Sequence, residues 1–582
     1  MKTNTKASLA GIVLALTLLS VGCSLKEEIF DTPVPNQVLT KESDVPVVLY
    51  GLYGAMADIF AEGGIYLPLT NGTEIVGLGS VDAERTYKYD ASSNYVKSLY
   101  SRNYKVINNA NSLLENLEKI SFQNTANADR YRGEVSFLRA FSYFHLVRFF
   151  GKVPIVTKST TSSGDYNAPR SSVDDVYKLV FDGFKLASAT CPKANGMSTA
   201  ERGRVTKGAA QALLAEAYLT YANYLDLAKR TSESSAYYQL AKNYADSVIL
   251  SGSYQLVPKY ADLFDNTKEN DAYKEVIFGI QYTADASAGS LGSNGASFAT
   301  FFAPANRFKV CGVAPDGLAS ATYGITPWVY DLYTQGNYKG TDGTLDFRMG
   351  NTMIPTRYVN DVASRTAGKS VEMTTYPQIR NSATDVNPSR FFANTTKYID
   401  SRGLTLSNNG NDYFYIRLAE IYLIKAEAMN ELGGPVAEAI DAFNQVRARA
   451  RTSAIFVSAV PKNLAISEVN SKEDFRLKIY DERVVELYGE GRNFFDVRRM
   501  RYKDNSRTIL QYIIQDVYPR LMAEGNNKSL EFNTTTNQWE GVRLNVLQVP
   551  AGWNEKWLLF PIPATEYLLN PGFKGDYNPG WN

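Results

Sequence analysis

The chain has 582 residues, with 61 basic against 60 acidic side chains, one histidine and three cysteines. This balance leaves no electrostatic footprint for nucleic acid. A lone histidine excludes multi-histidine zinc sites and argues against a Ser-His-Asp triad, and three cysteines make no disulfide framework. The 39 tyrosines offer flat apolar faces with polar tips, which suit helix packing or wet, sugar-like ligands.

The chain opens with Lys2 and Lys6 ahead of an apolar run from Leu9 to Val21. That run is shorter than the roughly 20 residues a bilayer span needs, so it reads as a secretory signal over residues 1–22. Cys23 closes it, in "LSVGCSLKEE". The arrangement resembles the bacterial lipobox, with Ser20 three before the cysteine and Leu19 one place earlier. The resemblance implies cleavage before Cys23 and lipid on its thiol. About three acyl chains make a durable tether. Lys26-Glu27-Glu28 looks like the acidic export tag of surface lipoproteins, and Asp31 to Gln37, with Pro33 and Pro35, reads as a stalk within a tether spanning 23–45. Cys191 and Cys311 are expected to be free and buried.

Helical patterns fill 46–264. Tyr100, Tyr104, Ile107, Asn111, Leu114 and Leu117 recur at three- and four-residue steps, which is one face of a helix. Val135 to Phe150 is apolar almost all round and predicts a buried helix. Gly151 is placed to end it and Pro154 to stop it. His145 lies inside this run as a packed residue. "SSVDDVYKLVF" opens with serine caps and acidic first-turn residues. The alanines Ala209, Ala210, Ala212 and Ala215 allow close helix approach. These helices pair as hairpins reminiscent of tetratricopeptide repeats.

Over 265–411 glycine, serine, asparagine and proline become frequent and helical periodicity fades. Scattered aromatics argue against disorder, so the segment reads as a folded, loop-rich subdomain. Helices return over 412–500, and 501–582 is extended and turn-rich, with Trp581 as a packing anchor.

Seven stretches, in order along the chain, carry a resemblance: "YKVINNAN", "FLRAFSYFHLVRFFGKVPIV", "GRVTKGAAQALLAEAYL", "IRLAEIYLIKAEAMNELG", "NQVRARA", "ERVVELYGEGRNFFDVRRM" and "FPIPATEYLLNPG". Together the chain resembles the SusD/RagB family of outer-membrane lipoproteins. The resemblance implies a mostly α fold, with four tetratricopeptide-like helical hairpins packed beside a loop-rich subdomain. It also implies a surface-exposed lipoprotein that captures an oligosaccharide or polysaccharide and delivers it to a SusC-like TonB-dependent outer-membrane transporter. Catalysis, a cofactor and a metal are not called for. The alternatives are a peptide-binding member of the family, a glycoside hydrolase and a pure protein-interaction scaffold.

Family members present ligand contacts from two regions: the segment before the Asn111 helix and the loop-rich insertion. A sugar site needs aromatic faces and convergent planar polar groups. The first region offers Tyr66, Asn71, Glu74, Asp82, Tyr87 and Tyr89, and the second Phe302, Arg307, Trp328 and Tyr330. Trp328 is the leading candidate, with a core anchor as its other reading. Glu482, Glu486 and Glu490 share one helix face. Paired carboxylates can do glycosidase chemistry, but Arg483, Arg492, Arg498 and Arg499 crowd the same stretch. A structural ion-pair network is therefore expected. Asn111, mid-helix among apolar neighbours, is expected to make a buried bond between helices.

Overall fold

The computed structural model describes residues 39–61, 76–78, 87–160, 168–283, 296, 323–325, 327–344, 346–349, 358–359, 372–373, 395, 397–398, 409–452, 458–503, 506–523, 528–533, 538–543 and 552–581. The fold is mostly helical, as expected. Helix α1 (Val45–Ala61) is followed by the short strand β1 (Val76–Leu78) and then α2 (Asn94–Leu117). Ser93 caps α2, its side chain accepting from the Val96 N–H, and Asn124 caps α3 (Thr125–Phe150) through the Ala126 N–H. Such caps satisfy amides that have no partner inside the helix. Helix α3 is buried along almost all of Gly133 to Phe150 and ends at Gly151, whose φ is +68°. That left-handed turn is open to glycine at little cost.

Ser172 caps α4 (Val173–Thr190), accepting from the Asp175 N–H at 3.1 Å. Asp174 and Asp175 then face the positive end of the helix dipole. The α3–α4 contact depends on Gly183. A Cβ there would lie 2.7 Å from the Ala140 Cβ and 2.8 Å from the Ser136 carbonyl, inside any real carbon contact. Thr206 caps α5 (Lys207–Leu227), in which Ala209, Ala210, Ala212 and Ala215 are fully buried. Helix α6 (Thr231–Ile249) packs on α5.

The chain then leaves the helices through β2 (Val276–Ile280) and passes β3 (Tyr323–Ile325) and helix α7 (Pro327–Thr334). It returns through β4 (Tyr413–Arg417), which runs straight into α8 (Leu418–Gly433). Strands β2 and β4 pair antiparallel, Val276 opposite Arg417 and Ile280 opposite Tyr413. They form the root of the loop-rich segment. Helix α8 packs against α6, so the helical array continues across the insertion as if it were absent. Helices α9 (Ala437–Thr452) and α10 (Lys472–Leu487) both pack on α8, and α11 (Asn493–Arg499) follows.

The C-terminal segment straps across this array. The Phe560 N–H donates to the Phe149 carbonyl at 2.8 Å and the Ala564 N–H to the Ala91 carbonyl at 2.8 Å. Asn578 Nδ2 donates to the Phe150 and Phe560 carbonyls. Trp581 is the expected anchor, its indole N–H shared between the Lys556 and Leu559 carbonyls. The core beneath is aromatic. His145, fully buried, lies 4.4 Å from Phe141 and 5.6 Å from Phe60 by ring centroid. Burial, aided by Arg148 and Arg492, holds its pKa well below the ordinary imidazole range. Cys191 is a free, buried thiol, pushed up to about 12 by burial; Cys311 lies outside the described residues. Asn111 is fully buried and makes the expected bonds: Oδ1 accepts from Arg139 on α3, and Nδ2 donates to the Val156 and Lys158 carbonyls.

Candidate functional site

The loop-rich segment is fastened to the helices through α10. Glu482, Glu486 and Glu490, four residues apart, line one face of α10 and the turn after it, and are almost entirely buried. Around them, among the described residues, five carboxylates (Glu275, Asp346, Glu482, Glu486, Glu490) meet five cations (Arg348, Lys397, Arg417, Arg447, Arg449) in one network. Arg348 bridges Asp346, Glu482 and Glu486, and Lys397 meets Glu490 at 2.8 Å. Both come from the insertion, so its root is held by buried charge. Arg417, at the end of β4, reaches Glu275, Glu486 and Glu490.

The expected ion-pair network is present, but its partners are not those nearest in sequence. Arg483 pairs with Glu420 and Asp496, Arg492 with Glu216 and Glu420, and Arg499 with Glu427 and Asp496. Arg498 instead lies over the Phe494 ring and donates to the Trp557 carbonyl. The reason is helical: residue 483 points about 100° away from 482 and about 60° away from 486, to one side of their row. Burial alone would raise the pKa of Glu486, but Arg449, Arg417 and Arg348 override it and hold the carboxylate well below its ordinary value. Glu482 and Glu490 are likewise lowered, by Arg348 with Arg447 and by Arg417 with Lys397, against the burial that would raise them. Carboxylates so held are poor proton donors near neutrality.

Tyrosines complete the fastening. Carbonyls at the end of α10, which lack helical partners, accept from hydroxyls brought by the insertion and its flanks. Tyr333 donates to Val485, Tyr260 to Glu486, Tyr398 to Gly489 and Tyr413 to Glu490, at 2.5–2.9 Å.

Helix α7 sits on this platform. Its Trp328 is half-buried and stacks on Tyr480 of α10, centroids 6.0 Å apart with rings 17° from parallel. Just before it, β3 pairs antiparallel with β1, Val76 opposite Ile325 and Leu78 opposite Tyr323. The segment preceding α2 and the insertion, from which ligand contacts are expected, therefore meet at one junction beside Trp328.

The other expected contacts fall differently. Tyr330 lies on α7, but its side chain is not described, and Tyr66, Asn71, Glu74, Asp82, Phe302, Arg307 and Cys23 lie outside the described residues. Tyr87 and Tyr89 are buried under the C-terminal strap, Tyr87 against Trp557 at 5.5 Å and Tyr89 against Phe560 and Trp581 at 5.0 and 5.5 Å. Both rings pack the strap and show little surface to solvent. Tyr480, Arg348 and Lys397 carry no local signal in the sequence. Their only signal would have been long-range charge and ring pairing.

A second acidic group lies at the insertion root. Asp412 accepts from the Tyr273 hydroxyl at 2.8 Å and the Tyr282 N–H at 2.9 Å. Burial, with the neighbouring Glu269 carboxylate, pushes it up to about 7. Among the described residues no group of three or more His, Cys, Asp and Glu side chains is placed to hold a metal, and no helix is long and apolar enough to cross a membrane.

Comparison with known proteins agrees with this architecture. The sequence profile described as "SusD family" matches residues 274–581, and that described as "Starch-binding associating with outer membrane" matches 74–219. SusD-like protein P2 of Formosa agariphila is 26% identical over 85% of this chain and 91% of its own length. A SusD homolog from Bacteroides thetaiotaomicron superposes with a TM-score of 0.68 at 21% identity, over 93% of this chain and 97% of its own. A structure described as a laminarin binding SusD-like protein superposes with a TM-score of 0.61 at 22% identity, over 91% and 98%.

Proposed function

The chain belongs to the SusD family, and from that premise we propose that it is a non-enzymatic, carbohydrate-binding lipoprotein of the outer membrane. It captures an oligosaccharide or polysaccharide at the cell exterior and delivers it to a SusC-like TonB-dependent transporter. The observation that carries this reading is the β1–β3 pairing, which joins the two regions expected to contact ligand beside the Trp328 ring. A flat indole resting on a fixed tyrosine is a ready platform for the apolar face of a sugar ring. Relatives support the substrate class: one neighbour of the same fold is described as laminarin binding, and one matching profile as starch-binding and associated with the outer membrane.

Cys23 supplies the anchor in this account. Tethering beside a transporter raises effective concentration, so modest affinity suffices. The non-enzymatic reading is supported by the fate of the densest carboxylate row, which is committed to buried guanidinium partners. The test is native electrophoresis of the mature protein through gels containing laminarin, starch or other polysaccharides, with a parallel assay for reducing ends. Retarded migration without reducing-end release is the expected result. Release of reducing ends would favour a hydrolase, and binding only to oligopeptides the peptide-binding branch of the family.

A further inference from the structure

A second concavity lies away from the β1–β3 junction and shares no residue with it. It is an open pocket with a cavity volume of about 190 Å³, lined by the 194–206 loop on one side and by Tyr254, Tyr273 and Val276–Gly279 of β2 on the other.

The pocket wall is built firmly. Ser198 and Glu201 close a capping box around a single 3₁₀ turn, and Glu201 is also held by Arg130 at 2.7 Å and Arg204 at 3.0 Å. Gly203, at φ +87°, lets the loop press against Gln281; a Cβ there would sit 2.7 Å from the amide oxygen. Tyr254 lies over Gly208, its hydroxyl 3.1 Å from Thr206 Oγ1. The Arg202 guanidinium covers Tyr273 at 5.1 Å.

The chemistry of the lining selects the ligand. Its charges are already compensated: Arg204 by Glu134 and Glu201, and Arg202 by Glu269. A bound ion would find no uncompensated charge. What the pocket offers is hydroxyls from Ser198, Thr199, Thr206 and Tyr254, the Tyr254 ring and the β2 strand. Such a mixture matches a neutral, polyhydroxylated ring. We propose that this pocket is a second saccharide subsite, taking one or two neutral sugar units. The proposal rests on the carbohydrate-binding reading above.

The test uses the full mature protein, laminarihexaose and maltoheptaose in calorimetric titration, and laminarin and starch in affinity gels. Thr199→Trp fills the mouth from an exposed position, and Tyr254→Phe removes one hydroxyl while keeping the ring. The expected result is a stoichiometry near two in the parent, falling to one in Thr199→Trp. Retardation by the long polysaccharide should weaken at least threefold, because linked sites act together, and Tyr254→Phe should weaken the second site alone. Parent and variant isotherms that superimpose at a stoichiometry of one would overturn the subsite and leave the primary reading standing. Absence of saccharide binding in the parent would overturn both.

Discussion

Glu486→Gln is the sharpest probe of how the insertion is held. The carboxylate is fully buried and accepts from Arg348, Arg417 and Arg449. The substitution removes one of five carboxylates from a network with five cations, so a positive charge is left uncompensated inside the protein. Removing one partner of a buried pair costs about 3–5 kcal/mol, set against a total stability on the order of 5–15 kcal/mol. Urea unfolding followed by tryptophan fluorescence and circular dichroism should show the loss directly, with Glu118→Gln, on an exposed residue, as the control. Soluble yield should fall in step, and the surviving folded protein should still bind polysaccharide. A Glu486→Gln variant that is as stable as the parent within about 1 kcal/mol yet has lost its ligand would falsify the structural assignment.

Other consequences are open to simple measurement. Asn111→Ala strips the partners from Arg139 and from two backbone carbonyls, and should cost about 2–3 kcal/mol in the same urea assay. His145 and Asp412 predict opposite pH slopes. The folded pKa of His145 is depressed, so its contribution is lost as pH falls below about 6.5, at about 1.4 kcal/mol per unit. Asp412 is raised to about 7, so its contribution grows as pH falls from above 7 towards about 4. His145→Gln should therefore gain about 2 kcal/mol on the parent between pH 7.5 and 5 in metal-free buffer, and an unchanged difference would reject the buried-neutral assignment. As pH falls below about 4.5, the stability held by Glu482, Glu486 and Glu490, whose folded pKa values are lowered from 4.5, should be lost progressively in parent and variant alike.

Local pattern was legible in the sequence where local physics decides. The α2 face, the buried Val135–Phe150 run of α3, the Ser172 cap and the Gly151 stop follow from periodicity and terminal chemistry. The four-residue spacing of Glu482, Glu486 and Glu490 likewise announces a shared face. Their partners were not legible, because Arg348, Arg417, Arg447 and Arg449 arrive from other elements, while the adjacent arginines point elsewhere around the helix. The burial of Tyr87 and Tyr89 was not legible for a similar reason. Their polar surroundings look exposed in sequence, but the strap that covers them comes from the far end of the chain. The sequence shows the two sides of the β1–β3 junction only as separate regions. The junction's register depends on a strand pairing across some 250 residues, which no local signal encodes.

The central claim is that a fixed aromatic platform beside β1 and β3 captures saccharide without cutting it. Affinity electrophoresis of the parent and Trp328→Ala against a panel of polysaccharides, with reducing ends assayed in the same samples, tests it most directly. The account predicts retardation of the parent by at least one glycan, loss of most of that retardation in a Trp328→Ala variant that remains folded, and no new reducing ends. A parent that passes every glycan gel unretarded, or that generates reducing ends, would contradict it.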